Sequence, residues 1–263
     1  MDFGLKGKKA VVSGSTAGIG LAIATALAME GASVVVNGRT EARVNAALEK
    51  IRHHHKIADL QGVAADLGTA RGVETFVKQV PHADVLVNNL GIFELKRFEE
   101  IPDADWLRFF EVNVLSGVRL SRYYLPGMLK SNWGRIIFIS SESAVQIPAE
   151  MIHYGMTKTA QIAVARGLAE SVAGSGVTVN SVLPGPTASE GVAGFLDSMA
   201  KQRGISAAEI EKEFFKTARP SSLLKRFETP DEIAAVVAFV ASAQSAAISG
   251  ATVRAEGGVI RSI

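Results

Sequence analysis

Short apolar runs rich in valine and isoleucine recur along this chain, and longer stretches with helical character separate them. The runs lie at Ala10–Val12, Ser33–Val36, Val63–Ala65, Val85–Val87, Ile136–Ile139, Val177–Val179 and Ala251–Val253. Each run is continuously apolar rather than alternating, which is typical of strands covered by helices on both faces. The intervening segments are long enough for helical crossovers between parallel strands. The sequence therefore predicts an α/β fold built on a doubly wound, seven-stranded parallel sheet.

Composition narrows the classes of protein that the chain can represent. Of its 263 residues, 48% are apolar, and no low-complexity linker divides them, so we predict a single domain spanning residues 1–263. The formal charge of +2 gives no reason to expect nucleic acid as a partner, and no apolar run reaches the roughly 18 residues of a membrane helix. The absence of cysteine excludes disulfides and thiolate chemistry. Because Met1–Lys9 has no features of a targeting signal, we predict a cytoplasmic protein.

A glycine-rich segment, Ser13–Gly20, follows the first predicted strand and leads into a helical pattern that begins Leu21. Gly14 allows a tight turn, Gly18 lets the backbone approach a pyrophosphate, and Gly20 permits close packing. The helix that follows would direct its free N–H groups at the anion. A simple strand-to-helix turn is the alternative interpretation. The position after the first strand of such a sheet favours nucleotide binding in a Rossmann-type fold.

Five further motifs follow this loop, whose glycine spacing is G-x-x-x-G-x-G. They are Asn88-Asn89-Leu90-Gly91, Asn113, Ser141, Tyr154-Gly155-Met156-Thr157-Lys158 and Pro184-Gly185. With its motifs in this order, the chain resembles the short-chain dehydrogenase/reductase family over essentially its whole length. The resemblance implies an NAD(P)-dependent enzyme that interconverts a carbonyl and a secondary alcohol of a small molecule. It also implies a homo-oligomer, expected to be a tetramer.

Tyr154 and Lys158 are four residues apart in a segment with helical periodicity, so they share one helix face. A free phenol, with a pKa of ~10, is a poor acid or base near neutrality. A cation about 4 Å away, at an effective dielectric of ~20, favours the phenolate by ~4 kcal/mol, and burial opposes part of this. We therefore expect a lowered pKa for Tyr154, which suits proton exchange with a carbonyl oxygen. A chance amphipathic spacing is the alternative.

Ser141 argues against a chance spacing, because it lies thirteen residues before Tyr154, as in the resembling family. Its hydroxyl would hold the substrate oxygen beside the phenol. The family resemblance also implies that Lys158 hydrogen-bonds the nicotinamide ribose and that Asn113 anchors a water in a proton relay. An exposed polar side chain is the alternative for Asn113. The adjacent Ser140 is expected to face the sheet or to position the loop.

The end of the second predicted strand bears on cofactor choice. Gly38 occupies the position where NAD-using relatives usually carry an aspartate for the ribose 2′-hydroxyl, and Arg39 and Thr40 follow it. A guanidinium can pair with a 2′-phosphate, which an uncompensated carboxylate would repel. The sequence therefore predicts a preference for NADP(H), with NAD(H) possible. A solvated Arg39 at the start of the next helix is the alternative.

The resemblance implies a larger set of cofactor contacts. Besides Gly14, Gly18, Gly20, Arg39, Thr40, Tyr154 and Lys158, they are Ser15, Thr16, Ile19, Asp66, Leu67, Asn89, Gly91, Pro184, Gly185, Thr187 and Ser189. The Thr187 backbone would meet the nicotinamide carboxamide, and the Asp66 carboxylate would bind the adenine amino group. A helix cap is the alternative role of Asp66.

The segment from about 187 to 225 is unusually long for a connection and carries Phe195, Met199, Phe214 and Phe215 among charges. We interpret it as a substrate lid. The lid, together with Glu142 and Glu150, would define the substrate pocket. If Glu142 faces the cavity, its carboxylate makes an anionic substrate less favourable.

Two other functions remain open: a 3-oxoacyl-thioester reductase acting on an acyl carrier protein, and a non-catalytic nucleotide-binding regulator. The carrier-protein function predicts a basic patch at the entrance, for which the candidates are Lys201, Arg203, Arg219, Lys225 and Arg226. The regulator has no need of the Ser141, Tyr154 and Lys158 set, which argues against it. Consecutive histidines at 53–55 point in different directions from a helix, so we predict no metal site.

Overall fold

Seven parallel strands form one sheet in the computed structural model, which describes residues 2–192, 194, 200 and 203–263. The strands are β1 (Lys9–Val12), β2 (Ser33–Gly38), β3 (Leu60–Ala64), β4 (Val85–Asn88), β5 (Gly134–Ile139), β6 (Val177–Pro184) and β7 (Thr252–Ala255). Their order across the sheet is β3-β2-β1-β4-β5-β6-β7. The predicted doubly wound, Rossmann-type α/β fold and all seven predicted strands are confirmed.

Helices cover both faces of the sheet. Their bounds are α1 (Gly18–Met29), α2 (Glu41–His54), α3 (Ala70–Gln79), α4 (Asp103–Phe110), α5 (Ser116–Lys130), α6 (Ile152–Ser171), α7 (Ala207–Thr217) and α8 (Pro230–Ala241). One buried cluster joins α1, α2 and α8 to the strand side chains of that face, such as Val34 and Val36. The opposite cluster joins α3, α5 and α6 to the alternate residues, such as Val35. Because both faces are buried, the strands are apolar at consecutive positions.

One local element was not predicted. The chain from Glu111 to Leu115 forms a π-helix between α4 and α5. A π-helical turn widens the backbone and redirects the side chains on it, and such turns often occur at functional sites. Asn113 lies at the centre of this turn.

The strand order brings the distant motifs together. β1 pairs with β2 on one side and with β4 on the other. Successive strands are therefore added in one direction up to β3 and in the opposite direction from β4, although all of them run parallel. Loops that leave the carboxyl ends of the strands on either side of such a reversal open a crevice, which is where ligands bind in this class of sheet. The glycine loop follows β1, Asn89 follows β4, Ser141 follows β5, and Gly185 follows β6.

Candidate active site

The glycine loop is shaped by backbone requirements that only glycine meets. Gly14 and Gly18 have φ of +62° and +54°, in the left-handed region. A Cβ on Gly20 would lie 2.4 Å from both Asn89 Nδ2 and the Gly14 oxygen. The residue before α1 is Ala17, which provides no side-chain cap, so the first N–H groups of the helix keep their capacity to bind an anion. The loop therefore fits the pyrophosphate of a dinucleotide.

Buried hydrogen bonds hold this loop to the sheet. Asn37 accepts from the Gly14 N–H through Oδ1 at 3.2 Å, and its own N–H donates to Ser15 Oγ at 2.9 Å. The Nδ2 of Asn37 also donates to the carbonyl oxygens of Val63 and Ala65, which ties the loop to β3. Sequence reasoning missed Asn37 as a site residue. The available signal was a single amide within an apolar strand, since a buried polar side chain needs hydrogen-bond partners.

Lys158 lies inside the protein and is only 4% exposed. Its Nζ donates to the Ile139 carbonyl at 2.8 Å and to Gln161 Oε1 at 3.1 Å. Its own carbonyl accepts from Ser140 Oγ at 2.8 Å, so Ser140 positions the helix against the strand end. Desolvation lowers the pKa of Lys158 to about 7, because burial disfavours the ammonium.

The prediction of a lowered pKa for Tyr154 is wrong for this structure. Burial raises the pKa of the phenol, and the Glu142 carboxylate raises it further, while Ser141 and Arg219 act in the opposite direction. The Lys158 ammonium is 5.6 Å from the centre of the Tyr154 ring. Because its donors engage Ile139 and Gln161, it does not stabilise the phenolate as the sequence suggested.

Ser141 follows β5 and takes part in a short polar chain. Its Oγ accepts from the Ser143 N–H at 3.1 Å and donates to Glu142 Oε2 at 2.5 Å. The other oxygen of Glu142 accepts from Arg219 Nε at 2.9 Å, and Arg219 Nη1 reaches Glu150 Oε1 at 3.4 Å. The carboxylate of Glu142 thus joins the serine of the predicted site to an arginine just after α7.

Asn113 is fully buried, so the exposed-residue alternative is wrong. Its Oδ1 accepts from the Ile92 N–H at 2.8 Å, and its Nδ2 donates to the Ile92 oxygen and to Thr157 Oγ1, both at 3.0 Å. The Asn113 carbonyl accepts from Gln161 Nε2, which in turn binds Lys158. Asn113 therefore links the loop after Gly91 to the helix that carries Tyr154 and Lys158.

The ribose end of the crevice lies at the surface. Arg39 and Thr40 are exposed, and Thr40 caps α2 by accepting from the Arg43 N–H at 3.4 Å. Arg39 has no acidic partner among the described residues. A Cβ on Gly38 would lie 2.4 Å from the Thr16 methyl carbon, so an acidic side chain at position 38 needs Thr16 to move.

Asp66 and Leu67 follow β3, at the far side of the same crevice. Leu67 is buried, whereas Asp66 is exposed and accepts from the Gly68 N–H at 3.0 Å. The predicted helix-capping alternative for Asp66 is wrong, because Thr69 is the residue that caps α3.

The loop after β6 closes the crevice from the other side. Thr187 is buried and donates to the Gly185 oxygen at 2.9 Å, while Ser189 lies against Gly18. Below this loop, the Glu228 carboxyl accepts from the Gly185 N–H at 3.0 Å. Burial raises the pKa of Glu228 to about 7.

A cavity of about 480 Å³ opens between these loops. The predicted site residues that line it are Ile19, Asn89, Gly91, Ser141, Tyr154, Lys158, Pro184, Gly185, Thr187 and Ser189. The predicted residues outside this lining are Gly14, Ser15, Thr16, Gly18, Gly20, Arg39, Thr40, Asp66, Leu67 and Asn113, most of them along the glycine loop and the ribose end. The structure therefore brings Ser141, Tyr154 and Lys158 together at one cavity, whereas Asn113 lies outside its lining.

The region predicted as a lid supplies part of the cavity wall. Val192, Phe214 and Arg219 line the cavity, and Phe227 follows just after them. The rings of Phe214 and Phe227 stack with centroids 5.1 Å apart. The predicted lid residues Phe195 and Met199 lie outside the described residues. Closure of this segment over a substrate remains a prediction.

Three of the four described candidates for the basic entrance patch are paired with acidic residues. Arg219 is buried against Glu142, and Arg203 and Arg226 pair with Glu213 and Glu232, respectively. Lys225 is exposed and donates through Nζ to the Pro220 oxygen at 2.7 Å, while Lys201 lies outside the described residues. Among the described candidates, Lys225 is therefore the exposed cation without an acidic partner.

Three other features of the described region bear on function. His153, next to Tyr154, is buried and packs on Phe109 with ring centroids 4.1 Å apart, rather than lining the cavity. Across the described ranges, no group of three or more His, Cys, Asp or Glu is placed to hold a metal ion. Nor does any helix in these ranges combine the length and the apolar character that a membrane crossing requires.

Known proteins are similar to this chain in both sequence and structure. The family model for short chain dehydrogenases matches residues 8–200. An uncharacterized oxidoreductase of Bacillus subtilis, YvaG, is 48% identical over 263 residues, which is 100% of both chains. A D-beta-hydroxybutyrate dehydrogenase of Cupriavidus necator is 33% identical, covering 97% of this chain and 98% of that one. The solved L-sorbose reductase of Gluconobacter frateurii, complexed with NADPH and L-sorbose, superposes with a TM-score of 0.94 at 31% identity over 100% of both chains.

Proposed function

Because this chain belongs to the short-chain dehydrogenase/reductase family, we propose that it is an NADP(H)-preferring oxidoreductase that interconverts a carbonyl and a secondary alcohol, with Tyr154 as the acid/base. The family membership identifies it as an NAD(P)-dependent dehydrogenase/reductase. The cofactor preference, the role of Tyr154 and the roles of the other site residues are our proposals.

One observation carries the proposal. Ser141 follows β5, whereas Tyr154 and Lys158 lie on α6, yet all three line one cavity next to the glycine loop. Asn89 and Thr187 line the same cavity. A nucleotide-binding regulator needs the loop but not a hydroxyl, a phenol and a buried ammonium around one space. A carbonyl oxygen held by the Ser141 hydroxyl would lie beside the phenol, where proton transfer needs little movement.

The state of Tyr154 suits reduction. Since burial and Glu142 raise the pKa of its phenol, Tyr154 keeps its proton near neutral pH and can donate it to the carbonyl oxygen. Bound NADP(H) would supply the hydride in reduction and accept it in oxidation. Lys158, with a pKa of about 7, can exchange a proton near neutrality, and Gln161 and Asn113 connect it to the interior. We propose that Asn113 anchors a water in the proton relay to Lys158.

The preference for NADP(H) rests on charge and space at the ribose end. Arg39 is exposed and has no acidic partner among the described residues, so it is free to meet a 2′-phosphate. The close approach of Thr16 to Gly38 disfavours the acidic side chain that would bind a 2′-hydroxyl. The similar L-sorbose reductase was solved with NADPH, which supports the same preference. NAD(H) stays possible as a weaker cofactor.

A thermal-shift titration with NADPH and NADH in parallel tests the cofactor proposal. A ligand at 100 times its dissociation constant stabilises the folded state by about 2.7 kcal/mol, so we expect a rise in Tm with NADPH at concentrations where NADH has little effect. A selective rise with NADH contradicts the cofactor preference and leaves the proposed chemistry intact. If neither nucleotide shifts the transition, the enzyme function itself is contradicted.

We also propose that residues 1–263 act as one domain and assemble as a homotetramer. Family membership supports both statements, and the single sheet supports the first. Light scattering after size-exclusion chromatography measures the assembly directly. A monomeric mass at micromolar concentration would contradict the tetramer.

A further inference from the structure

The largely apolar walls of the cavity include an ion pair in which both side chains are buried. Glu142 and Arg219 are 4% and 6% exposed, and both line the cavity together with Phe214 and Phe227. Burying an ion pair costs desolvation, and apolar side chains of similar size are often as good or better for stability. Stability therefore does not explain the pair, whereas recognition of a polar group on a ligand would.

The pair keeps hydrogen-bonding capacity beyond its partners in the protein. An ionised carboxylate offers about four acceptor positions, and Glu142 uses one oxygen for Arg219 and the other for Ser141. Arg219 donates through Nε to Glu142 and through Nη1 to Glu150 and the Ala218 oxygen, while its Nη2 has no acceptor among the described residues. The pair can therefore offer an acceptor and a donor side by side.

A hydroxyl group matches this combination. It donates one hydrogen bond and accepts others, so it can bind the carboxylate and the guanidinium together. A second carboxylate is a poor match, because Glu142 and Glu150 already face the single guanidinium of Arg219. An alkyl group is also a poor match, because it would leave the buried polar groups without partners.

The position of Glu142 indicates where the hydroxyl lies on the substrate. Its Oε2 is 2.5 Å from Ser141 Oγ, the hydroxyl proposed to hold the reacting oxygen. The Ser141 hydroxyl has one hydrogen, so to hold a carbonyl it must turn from Glu142, whose Oε2 then accepts from the substrate hydroxyl. With O–H···O distances of about 2.7–2.8 Å, the two substrate oxygens can then lie from about 3 Å to about 8 Å apart. Oxygens on neighbouring carbons fit the short end of this range, where both bonds leave the protein in the same direction.

We propose that Glu142 and Arg219 form a hydroxyl-binding subsite, and that the substrate is a neutral hydroxy ketone whose hydroxyl lies on the carbon next to the carbonyl. The inference rests on the proposed oxidoreductase function. In the reduction, the carbonyl carbon gains a hydride from the reduced nicotinamide and its oxygen gains the Tyr154 proton. The neighbouring hydroxyl is unchanged, so the product is a vicinal diol.

Steady-state reduction by the full chain with NADPH tests the subsite on three small probes: acetoin, butanone and 2-oxobutanoate. Acetoin is the hydroxy ketone, butanone lacks the hydroxyl, and 2-oxobutanoate carries a carboxylate instead. We expect kcat/KM for acetoin to exceed that for butanone by about tenfold or more, since a site built to bind a hydroxyl discriminates against its absence. We expect 2-oxobutanoate to be the poorest of the three.

Three variants assign the discrimination to the pair. Glu142→Leu should reduce the acetoin-to-butanone ratio to near 1. The double variant Glu142→Leu with Arg219→Met removes both charges, so it answers the question even if the single variant fails to fold because of an unpaired guanidinium. Arg226→Met is the matched control, because this arginine is exposed and pairs with Glu232 outside the cavity. It should keep the wild-type ratio.

The outcomes separate this inference from the proposed function. Stabilisation by NADPH with equal, or equally absent, turnover of acetoin and butanone overturns the subsite and leaves the proposed function standing. A wild-type ratio that survives in the folded double variant also overturns it. A preference for 2-oxobutanoate overturns the neutral substrate class. No stabilisation by NADPH or NADH, and no turnover of any probe with either nucleotide, would overturn the proposed function and the subsite together.

Discussion

The two walls of the cavity are held in place largely by different kinds of contact. The scaffold wall consists of Ser141, Tyr154 and Lys158, and its serine and lysine bond to the backbone, at the Ser143 N–H and the Ile139 carbonyl. The lid wall consists of Phe214, Arg219 and Phe227, which are held by side-chain contacts such as stacked rings and an ion pair. Backbone geometry follows from local sequence spacing, whereas side-chain contacts across the fold do not. The proposed chemistry and the proposed substrate choice thus rest on parts of the molecule that differ in how far the sequence predicts them.

The largest expected effect comes from removing the proton donor of the scaffold wall. Tyr154→Phe keeps the ring contact with Phe93, whose centroid lies 6.4 Å away, but removes the hydroxyl. Because general acid catalysis contributes about 10²–10⁴-fold, we expect kcat to fall by that factor. Initial rates of NADPH oxidation with the preferred carbonyl measure it. NADPH should still raise the Tm of the variant, and a kcat within threefold of wild type would remove Tyr154 from the proposed role.

The same contrast explains what could be predicted from the sequence. All seven strands followed from the apolar runs, which are properties of local segments, and the gathering of Ser141, Tyr154 and Lys158 was implied by the family resemblance of the motifs. Arg219 and Arg226 lie in one polar stretch, and nothing local distinguishes them. Arg219 is buried because a carboxylate 77 positions away receives it, whereas Arg226 stays at the surface.

The pKa of Tyr154 was mispredicted for the same reason. The helical spacing placed Lys158 on the correct face, but the direction of its ammonium depends on the Ile139 carbonyl and on Gln161. The carboxylate that raises the pKa of Tyr154 belongs to Glu142, whose orientation depends on Arg219. Tertiary packing determines these partners of Lys158 and Glu142, and residue spacing along the chain does not predict them. The π-helix around Asn113 escaped prediction because helical periodicity does not distinguish it from an α-helix.

The second-largest expected effect concerns the cost in stability of burying Lys158 in the scaffold wall. The pKa of Lys158 is about 7 in the folded chain and about 10.4 when unfolded, so between these values the unfolded chain binds more protons. The contribution of Lys158 to the free energy of unfolding must therefore rise with pH in this window and level off below pH 7. Relative to Lys158→Met, the free energy of unfolding should increase by about 2 kcal/mol from pH 7.5 to pH 9.

Urea titrations at the two pH values measure this difference. Lys78→Met, at an exposed position on α3, is the matched control and should show the pH dependence of the wild type. An identical pH dependence in wild type and Lys158→Met would mean that the buried ammonium has an ordinary pKa. The lid wall offers no comparable titration, since its buried guanidinium stays charged throughout this range.

Arg39 sharpens the comparison because it directly follows β2, yet its side chain has no hydrogen-bond or ion-pair partner among the described residues. We expect Arg39→Ser to lower kcat/KM for NADPH about tenfold with little effect on NADH, since a charged hydrogen bond contributes roughly 1.5–3 kcal/mol and exposure reduces that value. Arg52→Ser on α2 is the control, because Arg52 is also exposed and pairs with Glu49. Equal losses with both nucleotides would show that Arg39 does not distinguish them.

The smallest expected effects come from removing the N-terminal capping residues of two helices, one beside the lid wall and one in the main core. Ser206 and Thr229 each form a capping box, at the start of α7 beside the lid wall and of α8 in the main core. Replacing either by alanine should cost about 1 kcal/mol. Because α8 buries Ile233 and Val237 in the cluster shared with the sheet, Thr229→Ala should lower the Tm of the whole chain by about 2–4 °C.

Ser206→Ala should act locally instead. Loss of the α7 cap favours opening of the segment that positions Phe214, so we expect KM for the carbonyl to rise about fivefold, the equivalent of about 1 kcal/mol, while Tm changes less than in Thr229→Ala. Melting curves and saturation kinetics on the two variants provide both numbers. If Ser206→Ala instead lowers Tm as much as Thr229→Ala and leaves KM unchanged, the lid wall unfolds together with the scaffold. The two walls would then differ in their contacts but not in their stability.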